Sequence, residues 1–275
     1  MKYKLIASDL DETLLNDDKH VGLKTLQAIA AARQLGVHFV PVTGRGFTLI
    51  RRTLTELNVK DAAQEYVISF NGAAITENKD EQVLTKKLMD FQTINTLFQI
   101  GVKNQAVMHI YTLTDIYVYN MDKDEKEYLD KMGFSYCDFS QPSIMFLKDQ
   151  PLIKILYKDK ERANLDDLYS QIPASILEKT AVTYSSNRYM EFNQAGVNKG
   201  QGLLKLSQFL NIKPAEIIAI GDSANDLSMI RMSGLGVAVQ NAATEIKDNA
   251  NYVTSNDYNH NAVAEVIKKF ILTNN

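Results

Sequence analysis

The sequence predicts an α/β protein: a parallel-sheet core flanked by helices, interrupted by an inserted α+β module. Three observations carry this expectation. Short apolar segments alternate with helix-patterned ones at both ends of the chain, the texture changes between about Val83 and Asn187, and acidic loops follow two of the apolar segments. Alternation of strand and helix implies a parallel sheet with right-handed crossovers. A middle of mixed hairpins and helices implies a separate module.

Lys4 to Ala7 is short and apolar and breaks into the acidic loop Asp9 to Asn16, as a buried strand does at its carboxyl end. Leu23, Leu26, Ala30 and Leu35 lie near helical spacing, and Gly36 supplies the stop. Val37 to Val42 reads as a strand, Thr43-Gly44-Arg45 as a loop and Phe47 to Leu57 as a helix. Tyr66 to Phe70 is a further strand, and Asn71-Gly72 turns the chain into the hairpin-like Ala73 to Thr76. Within the insert, strands are expected at Ala106 to Tyr111, Ile116 to Tyr119, Leu152 to Tyr157 and Ala181 to Tyr184, with helices at Phe91 to Lys103 and Lys160 to Tyr169. The parallel pattern returns with a helix at Gly200 to Leu210, a strand at Ile217 to Ile220, a helix at Ala224 to Met232 and a strand at Gly236 to Val239. An amphipathic helix over Asn261 to Leu272 closes the chain. The expected organisation is a discontinuous core, 1–83 with 188–275, and an inserted domain, 84–187.

Composition removes several function classes. The 275 residues are 45% hydrophobic with a formal charge of -3, and the basic residues are scattered, so no footprint for nucleic acid or for an anionic membrane is present. No apolar run approaches the roughly 20 residues that span a bilayer, and the strand-like start leaves no room for a secretory signal, so a cytoplasmic location is expected. Cys137 is the single cysteine, which excludes an intramolecular disulfide and a cysteine-rich metal site.

Chemistry concentrates at strand ends. Asp9 and Asp11 stand at i and i+2 after the first strand, where alternate residues share a face and open α/β sheets bind ligands. Gly221-Asp222-Ser223-Ala224-Asn225-Asp226 follows a second buried strand. An acidic loop capping a helix explains either segment alone, with Asp222 or Ser223 as N-cap, but not the clustering of acids after two strands. Hard oxygen ligands that converge are what a magnesium ion requires. Thr43-Gly44 offers a hydroxyl and backbone N–H groups to phosphate oxygens, and Lys199 a point positive charge.

Together, Asp9-Leu10-Asp11-Glu12-Thr13, Thr43-Gly44-Arg45, Asn198-Lys199-Gly200 and Gly221 to Asp226 resemble, in order, the four motifs of the haloacid dehalogenase superfamily. The long insert and Asn71-Gly72-Ala73 resemble its Cof-type subgroup, with a Rossmann-like core and a type IIB α/β cap. The resemblance implies a phosphatase in which Asp9 is the nucleophile, Asp11 the general acid and base, and Lys199 a catalytic positive charge against the phosphate. It implies Mg2+ held by Asp9, the backbone carbonyl of Asp11, and Asp222, with Asp226 behind them. Leu10, Thr43, Gly44, Lys199 and Asn225 would gather the phosphoryl oxygens. Thr13 would support the loop, and Arg45 would make a salt bridge or a helix-start contact. Asn71, Gly72, Lys154 and Arg188 are candidates for substrate choice. Glu12 and Gln240 stand where the subgroup often has glycine, and His260-Asn261 replaces a usual Asp-Gly pair. The expected substrate is a small phosphorylated metabolite, such as a sugar phosphate or phosphorylated cofactor. A phosphotransferase or phosphomutase, and a non-catalytic binder of phosphorylated metabolites, are the alternatives. No nucleic-acid or membrane partner is expected, and the chain would be a monomer or weak homodimer.

Overall fold

The computed structural model describes residues 2–185 and 188–273. The chain divides into two compact units, Met1–Lys86 with Asn198–Asn275, and Lys87–Val197. The first unit begins with β1 (Leu5–Ser8), α1 (Leu23–Gln34) and β2 (His38–Pro41), then a 3-10 turn leading into α2 (Arg51–Glu56). Helix α1 stops where the sequence places the stop: Gly36 has φ 80, and its N–H donates to the Arg33 carbonyl. Three strands follow, β3 (Tyr66–Ser69), β4 (Ala74–Glu77) and β5 (Gln82–Lys86), in a small antiparallel sheet. Strand β5, with Gln82, Thr85 and Lys86 exposed and only Val83 and Leu84 half-buried, is not expected from the sequence, because β4 supplies the pairing that its composition does not advertise.

The second unit holds α3 (Phe91–Lys103), β6 (Val107–Thr112), β7 (Ile116–Tyr119), α4 (Lys123–Met132), β8 (Cys137–Phe139), β9 (Leu152–Lys158), α5 (Arg162–Ser170), α6 (Ala174–Leu177), β10 (Thr180–Ser185) and β11 (Tyr189–Gln194). Its six-stranded sheet has the order β10-β11-β9-β6-β7-β8. One face, carrying Met108, Ile110, Ile155, Tyr157, Met190 and Phe192, packs on Ile94, Leu97 and Phe98 of α3 and on Leu165 and Leu168 of α5. The sequence reading places the second boundary at 187/188, whereas the units divide at Val197/Asn198. The difference is β11, which pairs with both β9 and β10 and so belongs to the inserted unit. Helix α4 also lies outside the sequence expectation: Glu125 and Leu129 are its buried residues, too few to give an apolar stripe.

The first unit resumes with α7 (Lys199–Phe209), β12 (Ile217–Gly221), α8 (Leu227–Met232), β13 (Leu235–Ala238), α9 (Thr244–Asn249), β14 (Tyr252–Val253) and α10 (Ala262–Ile267). Its five-stranded sheet, β14-β13-β12-β1-β2, is parallel throughout. Strands β1 and β12 are central and wholly buried, as their unbroken apolar runs require. Register aligns Ser8 with Ile220, so the residues that follow the two strands leave the same edge of the sheet side by side.

Candidate active site

Asp9 and Asp222 are those residues. The Asp9 N–H donates to the Ile220 carbonyl at 3.0 Å, which locks the first acidic loop to β12. Gly221 lets the second loop fold back: a Cβ there would lie 2.4 Å from Cγ of Asp226. The Asp226 carboxylate occupies that space, accepting from the N–H groups of Asp222 (3.0 Å) and Ser223 (3.1 Å) through Oδ2. Carboxylate oxygens of Asp9, Asp222 and Asp226 all come within 4.8 Å of one another. This closeness satisfies the geometric condition for Asp9 and Asp222 to share one octahedral ion.

Lys199 closes the cluster. It is the first residue of α7, whose cap is Asn198, the carboxamide oxygen of which accepts from the Gln201 N–H. The ammonium, 1% exposed, donates to Asp9 at 2.5 Å and to Asp226 at 2.6 Å. Burial alone would depress its pKa, but Asp226 and Asp9 outweigh burial and hold it raised. Three carboxylates against one ammonium leave an excess of negative charge. Burial pushes the Asp9 carboxyl upward; Lys199 opposes this, Asp226 and Asp222 add to it, and the net value lies well above the ordinary range. For Asp222, burial and then Asp226 raise the carboxyl against the Thr13 hydroxyl and Lys199, to about 7. A divalent cation among these oxygens would offset both effects, so the donor set fits one by ligand chemistry as well as by spacing.

Asp11 is set apart. Its carboxylate takes Arg45 through two donors, Nε at 2.9 Å and a terminal nitrogen at 2.5 Å, and Lys19 Nζ at 3.2 Å. Burial raises its pKa, but Arg45 and Lys19 outweigh that, so the group is held below its usual value. The salt-bridge reading of Arg45 thus has Asp11 as partner. Lys19 has no signal in the sequence, being one of many lysines, and a short loop brings it to Asp11.

The remaining candidates fall into two sets. In the first unit, Thr13 donates to Asp222 at 2.8 Å, and the Thr43 hydroxyl accepts the Arg45 N–H at 3.1 Å. Leu10 is buried, and its carbonyl accepts from Leu14 and Leu15, forming the turn that carries Asp11. Asn225 donates to the Asn71 carboxamide at 3.2 Å, and an ideal Cβ on Gly44 would stand 3.1 Å from the same Asn71 oxygen. Gly72 approaches the Asn198 carbonyl so closely that a Cβ would lie 2.3 Å from it. Lys154 and Arg188 belong to the second unit. Lys154 is buried against Glu191 at 2.5 Å, and Arg188 reaches Glu125 at 2.5 Å and Asp124 at 3.0 Å. The departures from the subgroup pattern also have structural settings. Glu12 has φ 58 and Asn261 φ 66, both in the region glycine enters freely. His260 is a surface residue whose ring meets Asp257 at 2.6 Å.

Comparison with known proteins agrees with this geometry. The family model of haloacid dehalogenase-like hydrolases matches residues 6–267. The provisionally named phosphatase YxeH of Bacillus subtilis is 31% identical, over 98% of this chain and 99% of its own length. The 5-amino-6-(5-phospho-D-ribitylamino)uracil phosphatase YcsE of the same organism is 29% identical, over 98% of this chain and 96% of its own. Among solved structures, a haloacid dehalogenase-like hydrolase from Bacteroides thetaiotaomicron has a TM-score of 0.87 at 25% identity, covering 98% of this chain and all of that one. The subclass IIB sugar phosphatase BT4131 has a TM-score of 0.83 at 21% identity, covering 97% and 98%, and so shares the fold. With acidic loops after β1 and β12, a buried lysine between them and a matching family model over nearly its whole length, the chain belongs to the haloacid dehalogenase-like hydrolases, as a Cof-type phosphoric monoester hydrolase with a type IIB cap.

Proposed function

We propose that the chain is a magnesium-dependent phosphatase of small phosphorylated metabolites, working through an aspartyl-phosphate on Asp9. The observation that supports this most is the meeting of Asp9, Asp222, Asp226 and Lys199 at one sheet edge. Asp9 and Asp222, with the Asp11 carbonyl, would hold Mg2+, which supplies positive charge against the repulsion between a phosphate dianion and a carboxylate nucleophile. Asp226, with hydrogen bonds to two N–H groups and Lys199, is suited to orienting the lysine.

In the first displacement an Asp9 oxygen bonds to phosphorus while the ester P–O bond breaks, and Asp11 gives its proton to the departing alkoxide. In the second, Asp11 takes a proton from water as the water oxygen attacks phosphorus. The acyl phosphate bond breaks, and inorganic phosphate leaves. Arg45 and Lys19 hold Asp11 ionised, so donation requires Asp11 first to leave these two cations and take up a proton from solvent, and then to meet the leaving oxygen. Thr43, the amides of Leu10 and Gly44, Lys199 and Asn225 would carry the phosphoryl oxygens. Sugar phosphates and phosphorylated cofactors are the proposed substrate classes; BT4131 is named a sugar phosphatase, and YcsE a phosphatase of 5-amino-6-(5-phospho-D-ribitylamino)uracil.

Hydrolysis of an aryl phosphate is expected to require Mg2+, to stop on chelation and to return on readdition. Asp9→Asn should lower kcat by at least about 10³-fold, of the order that loss of a catalytic nucleophile brings. Turnover retained in that variant removes the nucleophile, and turnover unchanged by chelation removes the metal.

A further inference from the structure

Between β3 and β4 the chain passes through three left-handed residues in succession: Phe70 at φ 52, Asn71 at φ 58 and Gly72 at φ 99. For Gly72 this costs little, but two adjacent non-glycine residues in this region persist only where surrounding structure over-determines them. The surroundings here are the loops of the candidate site. The Phe70 N–H donates to the Arg45 carbonyl at 3.0 Å, and the Asn71 N–H to the Thr43 carbonyl at 2.9 Å. The Gly72 backbone lies against the Asn198 carbonyl, at the start of the helix that carries Lys199, and only a residue without Cβ fits there. The Asn71 side chain, 1% exposed, accepts from Asn225 Nδ2 at 3.2 Å and lies beside Gly44. The other end of the Asn225 amide accepts from the Ser223 hydroxyl at 2.8 Å, so both of its ends are held. One three-residue turn therefore touches three of the four motif segments, at Thr43 to Arg45, at Asn198 and at Asn225.

We propose that Asn71 is a positioning residue: through its carboxamide oxygen it fixes the Asn225 amide and its distance from the Gly44 loop, acting on phosphate through Asn225 rather than touching substrate. This differs from the substrate-choice role that the sequence suggested for Asn71, because a side chain buried between two motif loops acts on those loops. The proposal rests on the reading of Asn225 as a phosphate contact.

A double-mutant cycle on the full chain at saturating Mg2+ tests it, using p-nitrophenyl phosphate for KM and kcat and inorganic phosphate as competitive inhibitor for Ki. Asn71→Gly keeps the left-handed backbone while deleting the side chain, and Asn225→Ala deletes its partner. Each single change is expected to raise KM and the phosphate Ki about 10-fold. The double variant should be within about 2-fold of Asn225→Ala alone, since the proposal routes the effect of the Asn71 side chain on phosphate through Asn225. Losses that multiply in the double variant overturn the proposal, as does an unchanged Ki in Asn71→Gly beside a raised Ki in Asn225→Ala; both leave the phosphate reading of Asn225 standing. An unchanged Ki in Asn225→Ala overturns that reading and the proposal with it. Asn71→Ser is judged by the same criteria if thermal melting shows Asn71→Gly unfolded at the assay temperature.

Discussion

Asp9 and Lys199 are 190 positions apart in the chain and 2.5 Å apart in the fold. Each is placed by a local device: Asp9 by the end of a buried strand, Lys199 by the first turn of an Asn-capped helix. Glu12 shows the opposite case, a residue that its local backbone disfavours. At φ 58 a side chain with a Cβ costs about 1 kcal/mol relative to glycine. The loop holds the position all the same, with the Glu12 carbonyl accepting from Asn241 at 2.9 Å. Glu12→Gly is therefore expected to raise the unfolding free energy by up to about 1 kcal/mol in urea melts. A fall would mean that the Glu12 side chain contributes more than the strain removes. Asn261, at φ 66, meets the same demand with a residue whose short amide tolerates it.

Helix α4 depends on charge more than on apolar burial. Glu125, fully buried, accepts from Arg188 at 2.5 Å and from the Tyr189 hydroxyl at 2.6 Å, and His109 Nε2 lies 3.2 Å from it. Burial would raise its carboxyl, yet His109, Tyr189 and Arg188 outweigh burial and hold it below the ordinary glutamate value. A carboxylate with a depressed folded pKa stabilises fully above its unfolded value, about 4.3, and loses that contribution as pH falls through the folded value. Glu125→Gln is expected to cost up to about 3 kcal/mol at pH 7, since Arg188 then loses its buried partner charge and keeps only the more exposed Asp124. The difference from the native chain should shrink on acidification below about pH 4. Equal differences at pH 7 and pH 3, measured by denaturant melts, would show that the ionised carboxylate is not the source.

Each compact unit has its own apolar core. Ile6, Ile218, Ile220 and Val237 lie in one cluster of the first unit, with Leu5, Val40 and Leu203 in another, while Phe98, Tyr157 and Phe192 anchor that of the second. Phe98→Ala should cost about 3 to 5 kcal/mol through lost burial and the cavity left behind. Amide exchange should then rise across β6, β9 and β11 while β1 and β12 keep their protection. Equal loss of protection in both units would show them to be one cooperative core.

How much of this was legible in the sequence depends on the range of the interaction. Strand-helix alternation, the buried runs of β1 and β12 and the acidic residues that follow them are local signals, and parallel pairing sends those residues to one edge. The membership of β11 and the existence of β5 were not legible, because pairing partners supplied from elsewhere decide them. The same holds for Lys19 and Arg45 on Asp11, and for Asn71 on Asn225, contacts across 8, 34 and 154 positions with no periodic or spacing signature. By itself, the sequence determined the kind of sheet, the order of its chemical segments and the hard-oxygen character of the site, since backbone propensity and side-chain chemistry act over a few residues. Only the tertiary structure decided which cation meets which carboxylate and which turn braces which loop, because those choices depend on distances between segments that no local rule encodes.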